Sequence, residues 1–581
     1  MTASDPRSVA AAKRRVPPIL LACLLSFLVS LAIVCPYLVR GTASGHDFEF
    51  HMASWQDVAF QWKEGTLYPR WTALTNHGFG EPRFIFYPPL SWLLGAALVR
   101  VLPGAWAVIL FIVLTQTFAG ISAFVLLRRL AGARAALFGA LCYTANPNFL
   151  LITYIRSDFA EQLACAFFPL LLLAALRVSG LLEDWASNFR KLVVFAVPFA
   201  VIWLTNAPAA VIATYSAALL FAWVTLTSRS WKVAARGASG MALGFGLAGF
   251  YLVPAIYEQR WVNISQALSS GLLPSQNFLF TQLDDVDHNW FNLIATSCAL
   301  GLILLCALAA LGSGCFGSYT KGSKDQARNY AVARALLVLA AAASVLMLRF
   351  TMPVWNILPK LRFVQFPWRW MSMVALLCAC FLALAADRKR FAVWVLAFVI
   401  LTGPLAALFL NNGWWDQDEM PTLESLVTDG TGFEGTDEYD PLGDDHQDLP
   451  VRAPLAQVLP DDSEAAARDS GKIQVLSWTT EEKKIAVNFR QESQIVLRVL
   501  NYPAWQVEVN GKRIDPQRAD NLNEMVVPVP PGESLVTVRF TRTWDRIAGI
   551  VVSLLSLLLL ASWWLVGRPA DQRKAPQASV A

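Results

Sequence analysis

The sequence predicts a polytopic α-helical membrane protein with about twelve transmembrane helices and a C-terminal β-sandwich-like domain outside the membrane. Three observations carry this. Of 581 residues, 56% are hydrophobic and 15% charged, with a mean hydropathy of +0.46; soluble domains carry about 25% charged residues. Apolar runs of the roughly 20 residues that cross a bilayer core recur through the helical part of the chain. From Lys472 onward the pattern changes to short, β-branched, alternating segments separated by turn residues.

The first run, PPILLACLLSFLVSLAIVCPYLV, starts at Pro17 behind Lys13, Arg14 and Arg15. It is too long for the apolar core of a signal peptide and reads as a retained anchor. The basic stretches RRLAGAR (128–134), TSRSWKVAAR (227–236), DRKR (387–390) and the tail after Arg568 belong in the cytoplasm by the positive-inside rule, with both chain ends on that side. Spans are expected near 18–38, 105–127, 134–150, 160–178, 190–206, 208–226, 237–257, 289–312, 334–350, 368–386, 391–410 and 546–567. The run PPLSWLLGAALVRVL (88–102) is shorter than a span, and crossing there would invert the basic loops that follow. It is expected to lie in the outer membrane face and close a long first outer loop, 40–104; a true crossing is the alternative.

The chain therefore divides into a membrane domain (1–410), an extracytoplasmic acidic linker and β-domain (411–545), and a final helix with a cytoplasmic tail (546–581). From Asn411 to Ser470 the only basic residues are Arg452 and Arg468. KIQVLSW, KIAVNF, QIVLRVL, WQVEV, KRI, EMVVPV and SLVTVRF follow as strands, with Asn510-Gly511 as a hairpin signal. Walker and HExxH patterns do not occur, so ATP-driven and metalloprotease chemistry have no support, and no nucleic-acid partner is expected. None of the nine cysteines falls in the outer loops, so no disulfide framework is implied.

All five histidines and the ionisable residues hardest to explain fall on the outer side. Asp47, Glu49 and His51 directly follow the first span, where a carboxylate can serve as general base toward an acceptor hydroxyl or simply face solvent. In YIRSDFAEQ, Arg156, Asp158 and Glu161 lie between two spans, as an internal ion pair or as an anion clamp, since a guanidinium fork matches phosphate. In LRFVQFPWRWM, Arg362 and Arg369 flank Gln365, Phe366 and Trp368, as an aromatic belt with snorkelling arginines or as a functional group at membrane depth. The convergence of these clusters on one membrane face favours a site.

In order along the chain, Asp47, His51, GTLYPRW, GFGEPRFIFYPPL, RSDFAEQ and QFPWRW resemble the bacterial membrane proteins labelled "6-pyruvoyl-tetrahydropterin synthase-related", themselves similar to GT-C superfamily glycosyltransferases. The resemblance covers most of the chain, including YPAWQVEVNGK, and carries no pterin chemistry: nothing is similar to that soluble enzyme's three-histidine zinc site. It implies a GT-C-like fold and transfer of a sugar from a polyprenyl-phosphate donor, with inversion, at the extracytoplasmic face of the bacterial inner membrane. By that likeness Asp47 is the catalytic base, with Glu49 and His51 beside it and His51 as a hydrogen-bonding partner. Arg156 or Arg369 grips the departing lipid phosphate; Asp158 and Glu161 orient that arginine or the acceptor; Tyr87, Gln365 and Trp368 complete the substrate site. No resident cofactor or metal is expected, the lipid-linked sugar being a substrate, and the acceptor is a glycan, lipid or protein. Asn206 stands where many relatives have histidine.

Two other classes stay open. A lipid-linked glycan transporter should show internal repeats and ionisable residues or broken helices at mid-membrane, whereas no repeat is seen. A non-catalytic membrane assembly or binding protein would use the β-domain as its recognition module.

Overall fold

The computed structural model describes residues 17–183, 189–315, 324–388, 390–443, 449–459, 473–518 and 523–566. Among these, ten helices are long and apolar enough to cross a membrane: Pro18–Arg40, Gly104–Leu127, Ala133–Arg156, Phe159–Val178, Ala207–Ser228, Val286–Gly312, Gln326–Leu346, Pro367–Arg388, Phe391–Asn412 and Trp544–Leu565. The pair Trp231–Leu247 and Gly249–Trp261, bent by 78°, makes an eleventh if it counts as one span.

Two of the twelve expected spans differ. Arg190–Trp203 has only 14 residues, about 21 Å of helix, which is short of a bilayer core. The span expected at 237–257 is broken at Ala248, and the last helix supplies the reason. Ser553 donates to the Gly246 and Leu247 carbonyls at 3.1 Å and accepts from the Phe250 N–H at 2.8 Å, satisfying groups that the break exposes. A Cβ on Gly549 would lie 2.6 Å from the Gly249 carbonyl oxygen, so only glycine permits this close crossing.

The stretch 88–102 forms the 11-residue helix Pro89–Val99, too short to span. It packs on helix Phe48–Lys63, with Gly95 against the Trp55 indole, where a Cβ would meet ring atoms at 2.1 Å. Residues 40–104 are thus a folded cap on the bundle. Asp57, fully buried, accepts from the Ala73 and Leu74 amides and from Gln61, and so ties the irregular stretch after the helix back onto it.

Beyond the bundle, two antiparallel sheets face each other. One has four strands, in spatial order Ala456–Val458, Ser493–Leu500, Glu524–Val529 and Gln517–Arg518; the other has five, Ile473–Trp478, Glu482–Phe489, Gly532–Phe540, Trp505–Val509 and Lys512–Ile514. Their inward residues, among them Ile485, Val487, Leu497, Val527 and Val538, share one core. Asn510 and Gly511 both have positive φ, 53° and 76°, as a type I′ hairpin turn requires. The edge strand 456–458 lies in the Pro-bounded segment, where alternation was too short to signal it.

The sandwich is fixed to the bundle. Trp71 of the cap inserts among Tyr502, Trp505 and Phe540. Buried Glu258 receives a two-pronged contact from Arg546, at 2.7 and 2.8 Å, and the Tyr502 hydroxyl at 2.7 Å. This joins the bent helix, the sandwich and the last helix at one point.

Lys483 is 3% exposed in the sandwich, donating to the Thr480 carbonyl at 2.6 Å with its ammonium over the Trp505 ring. Burial pushes its pKa down to about 7, against the pull of Glu64 and Glu481. The unfolded chain therefore binds more protons between about pH 7 and 10.4, and stability should rise with pH through that window. Lys483→Met should raise the unfolding temperature at pH 7 and remove this lysine's share of the rise, as read by thermal unfolding at pH 7 and pH 9.

Candidate functional site

Three separate segments build one site. Gly45 packs where a Cβ would sit 2.3 Å from the Ile155 carbonyl oxygen, and its N–H donates to Ser157 Oγ at 3.0 Å. Asp47, the residue before helix Phe48–Lys63, donates its N–H to the Arg156 carbonyl at 2.8 Å. These contacts bring the start of the first loop against the junction of two spans. There the backbone widens into one π-helical turn, Ile152–Arg156, and Ser157 takes the left-handed region at φ 56°. Asp158 then caps helix Phe159–Val178, its Oδ1 accepting from the Glu161 N–H at 2.8 Å. This reversal aims Arg156 and Asp158 at the same space. The third segment enters through Gln365, held at φ 64° and ψ −60° with its side chain donating to the Ala267 carbonyl at 2.8 Å.

The charged groups form a continuous network. Arg156 Nη2 lies 2.8 Å from Asp47 Oδ2 and 3.1 Å from Asp158 Oδ2, and Nη1 lies 2.6 Å from Glu161 Oε2. Arg369 reaches Asp158 Oδ2 at 3.3 Å through Nη2 and Glu161 Oε2 at 3.1 Å through Nε. Its Nη1 donates to the Val364 carbonyl at 3.1 Å and to Gln365 Oε1 at 3.3 Å. The Arg156 guanidinium also sits 5.1 Å from the Trp368 ring, which stacks on Phe366. His51 Nε2 stands 3.6 Å from Asp158 Oδ1. Burial works against a charged Asp158, but Arg156 beside it holds its carboxyl well below the usual carboxylate range.

Within this network Asp47 differs from the other acids. Its side chain is 36% exposed, whereas Asp158 and Glu161 are at 4% and 2%. It opens into a cavity of about 1060 Å³ lined also by Glu49, His51, Tyr87, Arg156, Asp158, Gln365, Trp368 and Arg369. Of the residues singled out from sequence, Glu161 stands behind the two arginines rather than in the wall. Arg362 points away, exposed. Asn206 lines the cavity while its side chain caps helix Ala207–Ser228, accepting from Ala209 at 2.9 Å.

Sequence reasoning missed a second part of the wall: Arg83, Glu434, Glu438 and Tyr439. Arg83 binds buried Glu81 at 2.5 Å and donates to Thr436 Oγ1 at 2.7 Å, while Glu81 Oε2 accepts from the Thr436 N–H at 2.9 Å. The acidic linker is thereby pinned across the cavity. The available signal was Glu81 and Arg83 inside GFGEPRF, a charged pair within an aromatic run, read only for resemblance.

Fold and site together define a multi-pass membrane protein whose helical bundle holds an ion-paired cavity and carries a β-sandwich. A family model described as "6-pyruvoyl-tetrahydropterin synthase related domain; membrane protein" matches residues 84–409, more than half of the chain, and the chain belongs to that family. Among solved structures it is similar to the arabinofuranosyltransferase AftD from Mycobacteria, at 15% identity and a TM-score of 0.40 over 71% of this chain. The match spans 29% of AftD's own length. It is also similar to ArnT from Cupriavidus metallidurans bound to undecaprenyl phosphate, at 14% identity and a TM-score of 0.30, over 80% of this chain and 96% of that one. The search of curated proteins gives no match.

Proposed function

We propose that this chain is a GT-C type glycosyltransferase of a bacterial cytoplasmic membrane that moves a sugar from a polyprenyl-phosphate donor to an acceptor hydroxyl, with inversion. The observation that supports this most is Asp47: a half-open carboxylate on a large cavity, held by an arginine whose other contacts are buried acids. In this reading the donor phosphate takes the place of Asp47 on Arg156 Nη2. That exchange stabilises the phosphate and frees Asp47 from its ion pair. The acceptor oxygen then bonds to the anomeric carbon as the bond from that carbon to the phosphate oxygen breaks. The hydroxyl proton passes to Asp47, and the electron pair leaves with the polyprenyl phosphate.

Glu161 and Asp158 hold both guanidinium groups in place, so the charge that receives the leaving group is set before the donor arrives. His51 supports Asp158, and Glu49 lies two residues beyond the base. Tyr87, Gln365 and Trp368 surround the donor sugar. No resident metal is needed, because a guanidinium serves the leaving phosphate.

The test is release of polyprenyl phosphate from a panel of synthetic polyprenyl-phosphate sugars by the purified protein in nanodiscs, with candidate glycan and lipid acceptors. Failure of every sugar to react would sink the reading. A non-catalytic binding protein is the second reading, and the complete pairing of Arg156 and Arg369 favours it. In that case Asp47→Asn leaves the biological output unchanged and lesions of the sandwich abolish it.

The orientation is tested separately. In a Cys35→Ser background, a membrane-impermeant thiol reagent should label Lys512→Cys in intact spheroplasts and label Arg229→Cys only after lysis. Labelling of Arg229→Cys from outside would invert the proposed topology.

A further inference from the structure

The part of the cavity wall that carries Phe50, Phe86 and Tyr439, its acidic lobe, takes no part in the transfer steps above. Four aromatic rings shape it: Phe50 lies 4.7 Å from Tyr87 and 6.5 Å from Tyr439, and Phe86 stacks on Tyr439 at 5.9 Å with planes 6° apart. All four line the cavity. The same cavity is lined by Glu49, from the first turn of its helix, and by Glu434 and Glu438, from the pinned acidic linker.

The charge of this lobe is unbalanced. Among the described residues lining the cavity, the arginines are Arg83, Arg156 and Arg369, and no lysine is present. Each is already engaged by carboxylates, Arg83 by Glu81 outside the wall. Arg83, 4.5 Å over the Phe50 ring, also draws on Glu49 and Glu438, but it is already paired with Glu81, so Glu49, Glu434 and Glu438 leave the acids in excess here. Burial pushes Glu438 up to about 6, and burial together with Glu419 and Glu434 raises Glu49. A ligand bearing phosphate or carboxylate would meet repulsion here. A polyhydroxylated one would offer hydroxyl donors to the acids and C–H faces to the rings, a pairing of apolar walls with a few polar groups that fixes orientation.

We propose that this lobe, built by Glu49, Phe86, Glu434, Glu438 and Tyr439, is a binding subsite for an uncharged glycan. Resting on the transferase reading, it makes the acceptor an oligosaccharide whose attacked hydroxyl lies toward Asp47 and whose preceding residues lie under the acidic linker. The linker then has a role beyond connection: Glu81 and Arg83 hold it so that its acids face the sugar.

The experiment measures binding of neutral hexose and pentose tetrasaccharides, and of the same sugars carrying a terminal phosphate or uronate, to the full-length protein in nanodiscs by saturation-transfer NMR and calorimetry. At least one neutral tetrasaccharide should bind saturably, with its charged counterpart at least tenfold weaker. Glu438→Ala should lose tenfold or more in affinity. Glu434→Lys, at an exposed position that folding tolerates, should narrow the gap between neutral and charged ligands. Binding is read with no donor present, so a protein that binds a neutral tetrasaccharide but transfers no sugar sinks the transfer reading alone. No saturable binding by any neutral sugar, equal binding of charged sugars, or no change in selectivity with Glu434→Lys would overturn the subsite.

Discussion

Asp47→Asn should reduce sugar transfer by the purified protein by about 100- to 10,000-fold, the usual worth of a general base, while donor binding stays level or tightens. The direction of the second effect follows from geometry. Asp47 occupies Arg156 Nη2 at 2.8 Å in the free protein, so an incoming phosphate must compete with a carboxylate there. An amide of the same shape competes less. A structural ion pair would give the opposite pattern, with stability lost and chemistry unaffected. The decisive measurements are single-turnover rate and polyprenyl-phosphate affinity on the same preparation. Full transfer activity in Asp47→Asn would remove the catalytic assignment.

Arg156→Met should cost about 3 to 5 kcal/mol of stability, the range for breaking a buried ion pair by removal of one partner. Without it, buried Asp158 and Glu161 share the single guanidinium of Arg369, and Asp47 has no partner in this network. Arg156→Lys separates the roles. It keeps a positive charge and should recover much of the stability, but an ammonium cannot reach Asp47, Asp158 and Glu161 with a planar fork. Donor affinity and rate should both stay low. Thermal unfolding in detergent reads the first effect and phosphate-lipid binding the second; an Arg156→Met protein as stable as the wild type would mean that the network is not what holds the bundle mouth.

Much of the membrane architecture was legible because its cause is local. A run of apolar residues reports a span wherever the neighbours do not intervene, and ten of the expected spans were found on that ground alone. The broken span failed because its determinants lie elsewhere: Ser553 and Gly549, some 300 residues away in sequence, make the break at Ala248 tolerable. The helix at 89–99 was legible as too short to cross, yet its burial against Trp55 was not.

The candidate site divides in the same way. Residue chemistry alone drew attention to Asp47, Arg156, Asp158 and Arg369, since ionisable groups beside apolar spans need a reason to be there. Whether they met depended on the π-helical turn at Ile152–Arg156, the left-handed Ser157 and the close approach of Gly45, none of which has a sequence period. Glu434 and Glu438 are the clearest case. In the sequence they belong to an acidic stretch that reads as solvated linker. The buried Glu81–Arg83 pair, which fastens Thr436, together with backbone bonds from Phe433 to Leu74 and from His77 to Phe433, places those acids on the cavity wall. Apolar patterning therefore determined what the chain is: a multi-pass membrane protein with a β-sandwich. Tertiary structure decided where its charges meet, because ion pairs and backbone reversals act between residues that no local pattern connects.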